Sequence, residues 1–293
     1  MSRPRAPRRP PAHTPLSRLL SPAYGARYRA TVSTSRPGTR PVPPIHRLLR
    51  ERRRRHGGDP LVTYYRPADG IRIELSATTF AGWVDKTANL LVDDLGLDPG
   101  DRARLGLAEH HPGHWVTLVW TAALWQVGLG IVTEPDARAD LLVLGPEAVE
   151  GLADLAGAGP VVACSLHPLG LGFTRPLPAG VTDFGAEVPA QPDAYVGPPA
   201  GPDEIVYVGA PAGAEGIEYG LRWSEVIDRT SAVSSGRRLV RPADPPAGPA
   251  GQLATVVEAL VGPVVHDGSV VVVEGPVGDD ELGRIRRAEH ADV

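Results

Sequence analysis

Ile205-Val-Tyr-Val-Gly-Ala-Pro-Ala-Gly-Ala-Glu-Gly-Ile-Glu-Tyr-Gly-Leu-Arg-Trp-Ser224 joins a β-branched and aromatic run to a glycine-rich loop and then to the polar start of a helical pattern. Strand, glycine loop and helix in that order form a layout in which proteins hold phosphate, because unpaired backbone N–H groups gather there. The loop contains no Lys, Ser or Thr to complete such a site. Its surroundings predict an α/β fold, and its own residues argue against phosphate chemistry.

Working outward, strands are predicted at Leu61–Tyr65, Ile71–Leu75, Ala103–Leu107, Gly130–Thr133, Leu141–Leu144, Val161–Ser165, Ile205–Val208 and Ser269–Glu274. Helices are predicted at Ile45–His56, from Ser76 to Leu95, at Trp115–Val127, Glu147–Leu155, Glu225–Ser234 and Leu253–Leu260. Ser76 is a good helix cap, and Phe80, Trp83, Val84, Ala88, Leu91 and Leu95 recur with the 3.6-residue period. Strands apolar on both faces, alternating with helices, indicate layered sheets with parallel strands flanked by helices. Residues 166–204 carry many prolines and glycines and are expected to be mostly loop.

The 293 residues are 42% hydrophobic, enough to bury one or two sizeable cores. A net charge of −4 hides an asymmetry: residues 1–56 hold 15 Arg and one acid, Glu51, which leaves the body near −18. Such a body is not expected to seek nucleic acid. Residues 1–41 are expected to be a disordered Arg/Pro-rich arm or the product of a start codon set too far upstream. Residues 42–278 form the folded domain, and 279–293 a charged tail. Cys164 is the only cysteine, so no intrachain disulfide is possible, and its apolar run predicts a buried, inert thiol. The uncharged stretch Trp115 to Thr133 is broken by Gly128 and Gly130, which favours a buried helix running into a strand over a membrane span. A cytoplasmic protein without membrane contact is expected.

Several segments resemble the adenylate-forming superfamily, which includes acyl-CoA synthetases, peptide-synthetase adenylation domains and luciferases. Glu74-Leu-Ser-Ala-Thr-Thr-Phe80 and Thr87-Ala-Asn-Leu-Leu91 resemble its first core motif. Leu95 to Arg102 looks like its turn before a central strand, and Gln126 to Asp136 like its second core motif. The order and spacing are similar to a group of short actinobacterial proteins, the TIGR03089 family. The resemblance implies a truncated form of the superfamily's large N-terminal α/β domain.

In that superfamily the phosphate loop reads approximately Tyr-Thr-Ser-Gly-Thr-Thr-Gly-x-Pro-Lys-Gly. Here Tyr207 and Gly213 match, Val208 and Gly209 replace hydroxyl residues, Pro211 and Ala212 replace paired threonines, and Gly216 stands where the lysine is expected. Tyr207, Gly209, Gly213 and Gly216 are thus read as a vestigial phosphate loop, with no catalytic residue and no metal site. Fewer than 80 residues follow Gly216, so no counterpart of the superfamily's mobile lid is expected. The lone lysine, Lys86, is read as a solvent-facing helix residue.

The expected function is a non-catalytic binding or scaffold module, not an enzyme as an isolated chain. No cofactor is expected beyond weak ATP or AMP binding. The alternatives are a residual nucleotide or acyl-ligand binder, and part of a split acyl-adenylating enzyme completed by another chain. Self-association or a protein partner is expected to cover an exposed face. His110, His111 and His114 beside Glu109 are the densest ionisable cluster, read as a solvated loop in preference to a metal site. The acid pairs Asp136 with Asp140 and Glu215 with Glu218 are read as surface charge. Ser165 and His167 lack the turn of a hydrolase nucleophile.

Overall fold

A computed structural model describes residues 43–133, 137–148, 151, 159–198, 200–201, 204–209, 219–232 and 235–292. The arm 1–41, most of the predicted helix Glu147–Leu155, Asp136, Gly213, Gly216 and the pair Glu215 and Glu218 lie outside the described residues.

Helix α1 (Ile45–His56) precedes a hairpin of β1 (Pro60–Arg66) and β2 (Ile71–Ser76), which leads into α2 (Ala77–Asn89). The α2 N-terminus is capped as the sequence predicts, with Thr79 N–H donating to Ser76 Oγ at 3.1 Å. Then follow β3 (Arg102–Leu105), the single turn α3 (Leu107–His110), α4 (Trp115–Val127), β4 (Gly130–Val132), β5 (Leu141–Leu144), β6 (Val161–Ala163), β7 (Val181–Asp183) and the short α5 (Phe184–Glu187). The remainder comprises β8 (Ile205–Gly209), β9 (Tyr219–Arg222), α6 (Trp223–Asp228), β10 (Arg237–Val240), α7 (Pro249–Val256), α8 (Gly262–Val265), β11 (Ser269–Val273) and α9 (Asp279–Ala288).

The strands form two sheets. One has the order β7-β6-β5-β3-β4-β8-β9, parallel throughout except for β9. The other runs β10-β11-β1-β2, with only the β1–β2 pair antiparallel. Helices α2 and α4 pack on each other between the sheets, α2 against β1 and β2, α4 against β3 and β4. This explains the uncharged run from Trp115: every residue of α4 is buried, so no face needs a charge. The helix ends at Gly128, whose φ of 95° is the left-handed C-cap conformation that glycine adopts without strain. Its 13 residues rise about 20 Å, short of a bilayer core of about 30 Å. Among the described residues no helix is long and apolar enough to cross a membrane.

The structure corrects three readings. The opening loop is not followed directly by a helix: the chain returns as β9, antiparallel to β8, and α6 starts only at Trp223. Gly220 permits this pairing, since a Cβ there would lie 2.9 Å from the Ile205 side chain. Lys86 is not solvent-facing; its Nζ donates to the Pro189 and Gln191 carbonyls at 3.1 and 2.5 Å and pairs with Asp193 at 3.0 Å. The described residues of 166–204 are mostly loop, as the sequence predicts, and include one edge strand, β7, too short for a periodic signal.

Residues 279–293, read as a charged tail, contain α9, with acids in its first turn and Arg286 and Arg287 in its last, matching the helix dipole. Just beyond it, the nearly buried Glu289 accepts from Tyr65 Oη at 2.5 Å, Arg72 Nε at 2.9 Å and Arg237 Nη2 at 2.5 Å. Burial opposes its charge, but these three donors outweigh it and hold the carboxyl at about 2.

Candidate functional site

In parallel α/β sheets the carboxyl ends of the strands face the ligand, because loops from adjacent strands converge there. On the seven-stranded sheet this edge is built from Gly106 to His114 after β3, Thr133 after β4, Gly145 to Ala148 after β5, Cys164 onward after β6, and Gly209 at the end of β8. Near the end of β8, Val208 O accepts from Thr133 N–H at 3.1 Å.

Of the residues read as a vestigial phosphate loop, Tyr207 and Gly209 are among the described residues. Tyr207 lies within β8, opposite Ile131 and Leu221, and its buried ring meets Trp125 edge-on at 5.7 Å. Burial pushes its phenol up. Gly209 is the last residue of β8, opposite Tyr219.

The histidine loop is where the structure departs most from the solvated reading. His111 and His114 are largely buried, 13% and 2% exposed. His111 stands between two carboxylates, with Nε2 3.4 Å from Glu147 and Nδ1 3.7 Å from Glu274. Burial alone would lower the His111 pKa; the Glu147 and Glu274 interactions outweigh it and raise the ring to about 9. Burial likewise opposes the charge on both glutamates, yet both end lowered, Glu147 by its bond to His111 and Glu274 by His111 and then Tyr64. Tyr64 Oη donates to Glu274 Oε2 at 2.6 Å, and Gly113 N–H donates to Oε1 at 3.3 Å.

His114 caps α4, its Nδ1 accepting from Val116 N–H at 3.2 Å. Its ring lies edge-on to Tyr64 at 4.6 Å and stacks on Trp115 at 5.9 Å. Burial drives it down to about 3, so it is neutral at pH 7. Two histidines three residues apart therefore hold opposite protonation states. Gly113 between them is required by space: a Cβ would meet Pro242 at 2.2 Å and Val272 at 2.8 Å.

The network links the two sheets, since Tyr64 and Glu274 belong to the four-stranded sheet and its end, while His111 and Glu147 follow strands of the other. Its carboxylates are ionised and its one basic-range ring is protonated, so it offers no free general base at neutral pH. Among the described residues no group of three or more His, Cys, Asp and Glu side chains is arranged to hold a metal ion. Ser165 Oγ donates to Leu171 O at 2.5 Å and accepts from His167 N–H at 3.2 Å, which organises its own loop. Cys164 is buried, and burial raises its thiol well above the ordinary range. His111 stands out in the sequence as part of the histidine loop, but its partners do not. The available signal was Glu274, a carboxylate closing the all-valine run Val270–Val273.

No protein-family profile matches the chain. Over 141 residues it is 38% identical to a TIGR03089 family protein of Mycobacterium tuberculosis, covering 47% of this chain and 56% of that one. The chain resembles the TIGR03089 family. It spans little more than half the length of that relative. Its fold is that of the adenylate-forming enzymes' N-terminal region. Brucella canis acyl-CoA synthetase superposes with a TM-score of 0.66 at 15% identity, over 87% of this chain and 47% of the enzyme. The N-terminal domain of FACL13 from Mycobacterium tuberculosis gives 0.58 at 12% identity, over 85% of this chain and 62% of that domain. Anthranilate CoA ligase AuaEII, solved with anthranoyl-AMP, gives 0.59 at 12% identity, over 84% and 48%. At such identities the likeness is one of fold.

Proposed function

We propose that this chain is a non-catalytic relative of the AMP-dependent synthetases that acts as a binding or scaffold module. The observation that carries the reading is the amino-acid sequence at the end of β8 and just beyond it. Val208, Gly209, Pro211 and Ala212 stand where the resembled phosphate loop has hydroxyls, and Gly216 where it has lysine. A hydrogen bond to a charged group contributes about 1.5–3 kcal/mol. Losing two removes roughly 3–6 kcal/mol, on the order of 10²–10⁴ in affinity. The ionic cluster on the carboxyl edge supports the reading, because two ionised carboxylates around one imidazolium leave excess negative charge near any incoming polyphosphate. A partner or second copy of the chain fits the scaffold role, with Leu169 and Leu171 both exposed beyond β6.

Titration calorimetry with Mg-ATP tests this directly. Binding weaker than about 100 μM, together with no carboxylate-dependent ATP–pyrophosphate exchange, is the expected result. Tighter binding, or exchange above background, would overturn it.

A further inference from the structure

Away from the carboxyl edge, α1, α2, the end of α4 and the loop 194–197 enclose a cavity of about 590 Å³, within the range of small-molecule sites. Its apolar wall comes from Leu49, Ala81, Tyr195 and Val196. Arg47, Arg50 and Arg53 line its mouth at the three-residue spacing that puts them on one side of α1. The sole carboxylate in the lining, Asp85, is already occupied: Gln126 Nε2 donates to it at 2.8 Å, and Arg53 lies 3.8 Å away. Among the described residues Arg47 and Arg50 have no ion-pair partner.

The wall is fixed in place. Asn89 Nδ2 donates to Pro192 O and Ala194 O at 2.9 and 3.2 Å, and Lys86 secures the residues just before. The Tyr195 ring folds over Gly197, where a Cβ would lie 2.3 Å from its hydroxyl oxygen. His46, also in the lining, records the local field. Burial first, then the charges of Arg50 and Arg47, lower its pKa, and its Nδ1 has no hydrogen-bond partner among the described residues.

We infer that this cavity is a binding site for a small organic anion, with an apolar body against Leu49, Ala81 and Tyr195 and an oxyanion head on Arg47 and Arg50. It goes beyond the scaffold reading and does not depend on the loop after β8. Guanidinium groups suit carboxylate and phosphate alike through paired N–H donors.

The test is calorimetry on the full chain with octyl phosphate, octanoate, octanol and inorganic phosphate. At least one of the two amphipathic anions is expected to bind ten or more times tighter than octanol and than inorganic phosphate. The preferred anion identifies the head group. The double variant R47Q/R50Q, at exposed positions that do not disturb packing, is expected to weaken that binding tenfold or more while leaving octanol unchanged. Equal affinity for octanol and the anions, no binding by either anion, or an unaffected double variant would overturn the proposal.

Discussion

Replacing Glu274 with alanine is expected to cost about 3–5 kcal/mol of folding stability, the range found when one member of a buried ion pair is removed. The side chain is 7% exposed and satisfies three groups at once: the Tyr64 hydroxyl, the Gly113 N–H and the His111 ring. Deleting it strands a buried phenol and leaves the imidazolium with Glu147 alone. Urea unfolding, analysed by linear extrapolation, measures the loss. Glu274→Gln separates the contributions, because the amide still accepts from Tyr64 but no longer balances His111. Tyr64→Phe removes one charge-assisted bond and is expected to cost about 1.5–3 kcal/mol. A loss below 1 kcal/mol for Glu274→Ala would show that the two sheets do not rely on this network.

Stability should also peak near pH 6.5, with the two buried histidines responsible for opposite limbs. His111 is raised from 6.5 to about 9, so the folded state keeps a proton that the unfolded chain has released. Its contribution is complete below pH 6.5 and is lost as the pH climbs through 9, worth about 3 kcal/mol in total. His114 is lowered from 6.5 to about 3, so between those values the unfolded chain binds a proton that the folded state refuses. Stability therefore falls as the pH drops below 6.5, at a slope of up to about 1.4 kcal/mol per pH unit. Glu147 and Glu274, both lowered, act in the same direction below 4.5. Unfolding free energies of the wild type, His111→Gln and His114→Asn between pH 4 and 9 check this. The first variant should flatten the alkaline limb and the second the acid limb. Parallel curves for all three would refute the assignment.

Most of the fold could be read from periodicity. Ile45–His56 and Trp115–Val127 carry the predicted bounds, and the strands of both sheets that are rich in Val, Leu and Ile lie where the sequence places them. Elements built from mixed residues were hidden. β10 begins with two arginines, and Arg237 is tolerable in a strand because Glu289 waits for it. β9 reads as a helix approach, because Tyr219-Gly-Leu-Arg222 has only two apolar positions and its strand character comes from pairing with β8.

The site was less legible for the same reason. The sequence shows His110, His111 and His114 as equals, whereas the fold leaves His110 exposed, seats His111 between carboxylates and seals His114 against aromatic rings. Which carboxylates meet His111 depends on the packing of the two sheets, which brings Glu274, just past β11, to the loop that follows β3, 163 residues earlier in the chain.

Lys86 carries a practical corollary. It is the only lysine among 293 residues, sits within α2, and has its amine engaged by two carbonyls and Asp193. A lysine-specific protease therefore has a single bond to cut, Lys86-Thr87, and Thr87 is fully buried. Cleavage there requires α2 to leave the space between the sheets, so a clip that divides the chain at this one point reports opening of the core itself.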